Sequence, residues 1–208
     1  STIRTSYRFT GKDHTSSGWY QTGGDMLMST PELVLAVNDG VGYVKSERKI
    51  NLVKINMVRL LEDKNSELIE KSQIINQLIR EQKNILLATA QSDDEVEKAI
   101  EIGKKHNLSR KDVSEKIATI MAELVKSIDV NGLSGMVLTG GDMAVHICRA
   151  IGVNSIKIIS EIDNGVPLGF IESNKLEKLF IVTKAGAFGK PDVFIKSIQA
   201  IEEFGKKY

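Results

Sequence analysis

One cysteine, three prolines and one tryptophan are all that this chain of 208 residues carries of each, and aromatic residues make up only 5% of it. The lone thiol, Cys148, has no internal partner for a disulfide, which points to a reducing compartment, the cytoplasm. No apolar run reaches the roughly 18 residues that a membrane-spanning helix needs. The first residues also lack the hydrophobic core of a secretory signal. Basic and acidic residues number 28 and 27, so no charge excess draws the chain to nucleic acid or an anionic membrane. Neither is expected as a partner. A Gly-x-x-x-x-Gly-Lys-Ser/Thr run is missing, which excludes an ordinary P-loop protein. A Gly-x-Gly-x-x-Gly after a strand is missing too, which argues against a dinucleotide-dependent oxidoreductase. His14, His106 and His146 pair with no carboxylate or cysteine at ligand spacing, and His146 and Cys148, two apart on a helix, fall on different faces. No metal-ligating residues are expected, and no Ser–His–Asp grouping assigns a catalytic residue.

What is present is an alternation of apolar runs. Residues 1–28 are rich in Ser, Thr and Gly, show no periodicity and read as a tail or linker. Strands are expected at 32–38, at 41–44 and around Leu52, Val53 and Ile55. A long helix follows over about 65–83, with Leu68, Ile74, Ile75, Leu78 and Ile79 on its buried stripe. Ile85-Leu86-Leu87-Ala88 is the unbroken apolar run of a parallel strand covered on both faces, and a helix over 93–105 comes next. Ser109, with Asp112 three residues on, reads as the cap of the strongest helix. Its face is traced by Val113, Ile117, Ile120, Met121, Leu124, Val125 and Ile128. Asp163-Asn164-Gly165 between the runs 155–162 and 166–171 is a hairpin signal. A last strand spans 178–183, and Pro191 opens a helix with Val193, Phe194, Ile198 and Ile201 inward. The fold class is α/β: a mixed, mainly parallel sheet flanked by helices, with a hairpin near residues 155–171.

The organising stretch is Met136 to Ala150. Met136 to Leu138 form a short buried strand, Thr139-Gly140-Gly141-Asp142 breaks the pattern, and Ala144, Ile147, Cys148 and Ile151 resume at helical spacing. Strand, glycine turn and helix together aim free backbone N–H groups and the positive end of a helix at one point. An anion such as phosphate suits that point. The same glycines are equally consistent with a sharp turn and nothing more. A second glycine loop, Lys184-Ala185-Gly186-Ala187-Phe188-Gly189, follows the last strand. Ligands in open α/β sheets gather beyond the carboxyl ends of strands, so the two loops are candidates for opposite walls of one nucleotide cleft. Thr139 offers a hydroxyl and Lys184 a charge for phosphate. Asp142 either caps the helix dipole or stands near bound metal and phosphate. The pentapeptide Thr22-Gly23-Gly24-Asp25-Met26 repeats Thr139 to Met143, but no apolar strand precedes it, so the same site is not expected there.

Three motifs, in order and spacing, resemble those of the four-carbon acid sugar kinases: Gly140-Gly141-Asp142; Glu161 followed by Gly165-Val166-Pro167-Leu168-Gly169; and Thr183 to Gly189 with Pro191-Asp192. The resemblance is to their C-terminal nucleotide-binding domain and covers roughly residues 50–205. It implies ATP-dependent phosphorylation of a four-carbon acid of the 3-oxo-tetronate, erythronate or threonate type, with Mg2+. It implies that Gly140, Gly141, Asp142, Met143 and Gly186 contact ATP, and it makes Ser29 the nearest counterpart of a nucleotide-binding serine. The family often has Thr or Ser where this chain has Met143, so backbone contact is the expectation there. An N-terminal domain with an Ala-Asp-Asp-x-Thr-Gly-Ala type motif binds the sugar acid in such kinases, and residues 1–50 hold no such motif. Residues 29–208 are then the nucleotide-binding domain, and the sugar acid is expected to be met through a separate domain or chain. The chain by itself is expected to bind nucleotide and catalyse little, and self-association is left open. A non-catalytic nucleotide-binding sensor or scaffold on the same fold is the alternative.

Overall fold

The computed structural model describes residues 50–89, 93–153, 155–171, 176, 179–184, 190 and 192–207. The strands expected at 32–38 and 41–44, the expected tail, Pro191, Ser29 and Gly186 lie outside the described residues. In chain order the elements are β1 (Asn51–Lys54), α1 (Met57–Glu62), α2 (Lys64–Arg80), β2 (Ile85–Ala88), α3 (Asp93–Lys105) and α4 (Arg110–Lys126). They continue with β3 (Gly135–Thr139), α5 (Gly141–Ala150), β4 (Lys157–Asp163), β5 (Val166–Ile171), β6 (Leu179–Lys184) and α6 (Val193–Lys207). β1 and β2 pair in parallel. The second sheet has the order β3-β6-β5-β4, parallel between β3 and β6 and antiparallel from there on. This is the expected mixed α/β arrangement with its hairpin, and parallel and antiparallel ladders are equal in number among the described residues.

Strand alternation divides the core in two. Met136, Leu138, Ile181, Ile85 and Leu87 point to one face and pack with the inward stripes of α1 to α5. Val137, Phe180, Val182 and Leu86 point to the other, where α6 supplies Val193, Phe194, Ile198 and Ile201. Phe180 sits edge-on to Phe170, with ring centroids 6.3 Å apart.

α4 forms as its sequence dictates. The Ser109 Oγ accepts the Asp112 N–H, and the Asp112 carboxylate accepts the Ser109 N–H at 2.9 Å, a reciprocal capping box. The expected stripe from Val113 to Val125 is buried, with Met121 and Leu124 fully so. Each such side chain contributes about 2 kcal/mol through burial.

α2 departs from expectation. Ile75 and Ile79 are buried and Leu68 and Leu78 pack against the core, but Ile74 is 40% exposed. Ile74 lies about 100° round the helix from Ile75 and, unlike Leu78 beside Ile79, falls outside the buried stripe. The helix also ends at Arg80, where Gln82 turns to a φ of 53°. α1 was not expected at all. It is a six-residue helix whose first N–H groups, those of Val58 and Arg59, donate to the Asn56 side chain.

The position that the stripe of α2 yields inward is Glu67, fully buried. Its Oε1 accepts the Asn56 N–H at 2.8 Å, tying α2 to the end of β1. Arg59 Nη1 stands 2.9 Å from Oε2, yet that oxygen accepts no well-aligned hydrogen bond. Coulomb attraction rather than a directed bond therefore balances this charge, and half-exposed Arg59 is screened by solvent. Glu67→Leu is expected to lower unfolding free energy by about 2 kcal/mol, mainly by orphaning the Asn56 N–H. Urea denaturation measures this. No loss would mean that packing alone holds the β1–α1 junction. Among the described residues no helix is long and apolar enough to cross a membrane.

Candidate functional site

The site starts from the register of two strands. β3 and β6 run parallel with Thr139 opposite Lys184, and the ladder takes one further bond, from the Gly140 N–H to the Lys184 carbonyl at 3.0 Å. Sequence order separates the two glycine loops widely. Strand pairing sets the carboxyl ends of β3 and β6, the strands that precede them, side by side and facing the same way.

Gly140 makes the turn. Its φ of 86° with ψ of 121° is a conformation that residues with a Cβ rarely adopt. The chain then enters α5 directly, and no side chain caps the helix. The first intrahelical bond runs from the Ala144 N–H to the Gly140 carbonyl at 2.9 Å. The N–H groups of Gly141, Asp142 and Met143 meet no acceptor among the described residues. They converge at the positive end of a ten-residue helix. Beyond its chain neighbours and its own helix backbone, a Cβ on Gly141 would have no heavy atom of the described residues within 4 Å, so among them the approach to these donors is open.

The side chains around the turn divide by role. Asp142 is exposed in the first turn of α5. Met143 is 3% exposed and packs into the core, so only its backbone is available to a ligand. Thr139 is fully buried. Lys184 is not the solvated lysine that loops usually carry: it is 3% exposed, with its Nζ 5.8 Å from the centre of the Phe194 ring. Register partners in a parallel ladder share a face, so Thr139 and Lys184 both point to the side of α6. The Phe194 ring faces a charge that the low-polarity interior would otherwise penalise.

The β4–β5 hairpin reaches the same region. Glu161 Oε1 accepts the Gly165 N–H at 2.9 Å within the turn. Asp163 accepts the Asn164 N–H at 2.8 Å and, from across the fold, the Lys190 N–H at 3.0 Å. The bond from Lys190, ahead of that from Asn164, holds the Asp163 carboxyl below the usual carboxylate range. Neither Phe194 nor Asp163 was expected to bear on the site. The spacing of Phe194 marks only an inward helix position, and that of Asp163 only a turn.

Cys148 is half-buried against the core, and burial pushes its thiol up, away from the reactive thiolate. No group of three His, Cys, Asp or Glu side chains suited to a metal occurs among the described residues. Two clefts of about 360 Å3 each lie elsewhere. One, between β2 and β3, is lined by Ile85, Met136 and Ile198, and the other lies beyond β1 and β2, beside Lys54 and Thr89. Thr139 to Met143 and Lys184 line neither.

Residues 41–194 match the family model described as a nucleotide-binding C-terminal domain. A D-threonate kinase of Bordetella bronchiseptica is 37% identical over 101 residues, covering 49% of this chain and 24% of that protein. A D-threonate kinase of Salmonella typhimurium is 24% identical over 159 residues, 74% of this chain and 37% of its own length. The chain thus spans between a quarter and two fifths of these relatives. Among solved structures, a Haemophilus influenzae protein superposes with a TM-score of 0.58 at 20% identity, covering 79% of this chain and 37% of that one. A Bordetella bronchiseptica protein, crystallised as a domain-swapped dimer with citrate, gives 0.55 at 22% identity, over 90% of this chain and 46% of its own. At such identity these two attest the fold alone. The family match and the kinase relatives go further, and the chain belongs to the nucleotide-binding C-terminal domains of the four-carbon acid sugar kinase family.

Proposed function

We propose that the chain is the ATP-binding part of a kinase that phosphorylates a four-carbon acid sugar of the 3-oxo-tetronate, erythronate or threonate type. One observation carries the reading: β3–β6 pairing sets the free N–H groups of Gly141, Asp142 and Met143 beside the strand end that bears Lys184. Phosphoryl transfer depends on holding the nucleotide and stabilising charge on its phosphates. The three N–H groups and the helix dipole would hold phosphate, with Gly140 keeping the approach free of side chain. Lys184 and Thr139 would add charge and a hydroxyl from the neighbouring strand ends. Gly186 and Ser29 complete the proposed contacts from outside the described residues.

The residues suit a triphosphate better than a resident metal. Asp142 is the one acid in the first turn of α5. Mg2+ would therefore come held by the phosphates, as is usual for that ion, with Asp142 as its protein neighbour. The acceptor hydroxyl and its base would belong to a sugar-acid-binding domain or a separate chain. One cysteine and an even charge balance suit the cytoplasm and give no reason for a nucleic-acid or membrane partner.

Calorimetric titration with Mg-ATP, repeated with NADH, tests the reading. Saturable ATP binding without an NADH response is expected. NADH binding in place of ATP would overturn it, and binding of neither would favour a scaffold that keeps the fold without the ligand.

A further inference from the structure

One of the two clefts outside the glycine turn lies where parallel strands end. Lys54 closes β1, Asn56 leads into α1, Thr89 follows β2, and Glu95 and Lys98 reach the cleft from α3. Ligands of open α/β sheets collect at such carboxyl ends. A volume of about 360 Å3 suits a small molecule. We propose that this cleft binds a small organic carboxylate, held by Lys98 and Asn56. None of Thr139 to Met143 and Lys184 lines it, so the proposal does not rest on the ATP reading.

Two donors without acceptors define the ligand. Lys54 donates to Glu95, and that pair is balanced. Lys98, three residues beyond Glu95 on the same helix, is exposed and pairs with no carboxylate among the described residues. Asn56 supplies the second donor for a local reason. Its Oδ1 accepts the Val58 and Arg59 N–H groups at 3.0 and 3.1 Å, which caps α1 and fixes the amide. The Nδ2 of that amide meets no acceptor among the described residues. An ammonium and an amide NH2 lining one small cleft suit a ligand with two acceptor oxygens. The single unbalanced ammonium suits a monoanion. A phosphate dianion would bring its second charge towards the Glu95 carboxylate, where like charges repel.

The test titrates the whole chain, labelled with nitrogen-15, with sodium D-threonate and follows the amide chemical shifts. Saturable shifts are expected at Asn56, Val58, Glu95 and Lys98. Erythritol, which keeps hydroxyls without the charge, should give none, and inorganic phosphate should bind at least about tenfold more weakly. Lys98→Ala should weaken D-threonate about tenfold, the size of one charge-assisted hydrogen bond, while Lys98→Arg should stay within about threefold of wild type. Asn56→Asp keeps the capping oxygen and loses the donor, so binding should fall by at least about tenfold while the thermal midpoint holds. Wild-type affinity in Lys98→Ala or Asn56→Asp would overturn the assignment. So would an equal response to D-threonate and either control, or no saturable shift at these four amides. A chain that binds Mg-ATP but not D-threonate loses this site alone, and one that binds D-threonate but not Mg-ATP loses only the nucleotide reading.

Discussion

Gly141→Val is expected to weaken Mg-ATP binding by on the order of 100-fold, the loss of two charge-assisted hydrogen bonds at about 1.5 kcal/mol each. The fold should not register the change. Among the described residues, nothing beyond its chain neighbours and its own helix backbone lies within 4 Å of a Cβ at this position, the residue is exposed, and its φ is not positive. An exposed substitution of this kind stays within about 0.5 kcal/mol, or roughly 2 °C in thermal midpoint. The isopropyl group would instead occupy the space through which an anion reaches the Gly141 and Asp142 N–H groups. Gly140 makes the contrasting case, because its φ of 86° strains any side chain. Gly140→Ala should cost about 1–3 kcal/mol of stability whether or not a ligand is present. Calorimetry beside thermal melting separates the two variants. A Gly141→Val protein that melts normally and still binds Mg-ATP at wild-type affinity would remove phosphate from the first turn of α5.

The sequence displays some of this architecture directly and conceals the rest for reasons of distance. The capping box at Ser109 and the stripe through Leu124 are local patterns, and the structure keeps both. The strand-to-helix turn at Gly140 is local as well. α1 escaped because its six residues are too few to show a period, and its start depends on one asparagine cap. Ile74 was misplaced because a run of two isoleucines offers no way to tell which one faces the core. The run 155–162 was expected as strand, and β4 forms there, but register shifts upset its simple alternation and Ile158 is 58% exposed. The site shows the same division. Motif residues Gly140, Gly141, Asp142 and Lys184 could be named from sequence, whereas the pairing of Thr139 with Lys184 is a long-range register. The burial of Lys184 depends on a helix face that begins nine residues later, at Val193.

That helix face gives the largest stability effect. Phe194 is 1% exposed and among the largest fully buried side chains, so Phe194→Ala should cost about 3–5 kcal/mol. A drop in urea midpoint reports it. The informative variant is Phe194→Leu, which keeps most of the apolar volume and should cost only about 1 kcal/mol. It removes the ring beside the Lys184 ammonium, whose Nζ stands 5.8 Å from the ring centre, near the outer limit of a cation–π contact, so that loss is a small part of the cost. If the ring sets where that charge points, Phe194→Leu should lose more in Mg-ATP affinity than its small stability change predicts. It should also leave the Gly141→Val effect additive only in part, because both changes would act on the same phosphates. Full additivity of the two, with ATP affinity in Phe194→Leu tracking stability alone, would confine Phe194 to packing and place Lys184 outside the phosphate site.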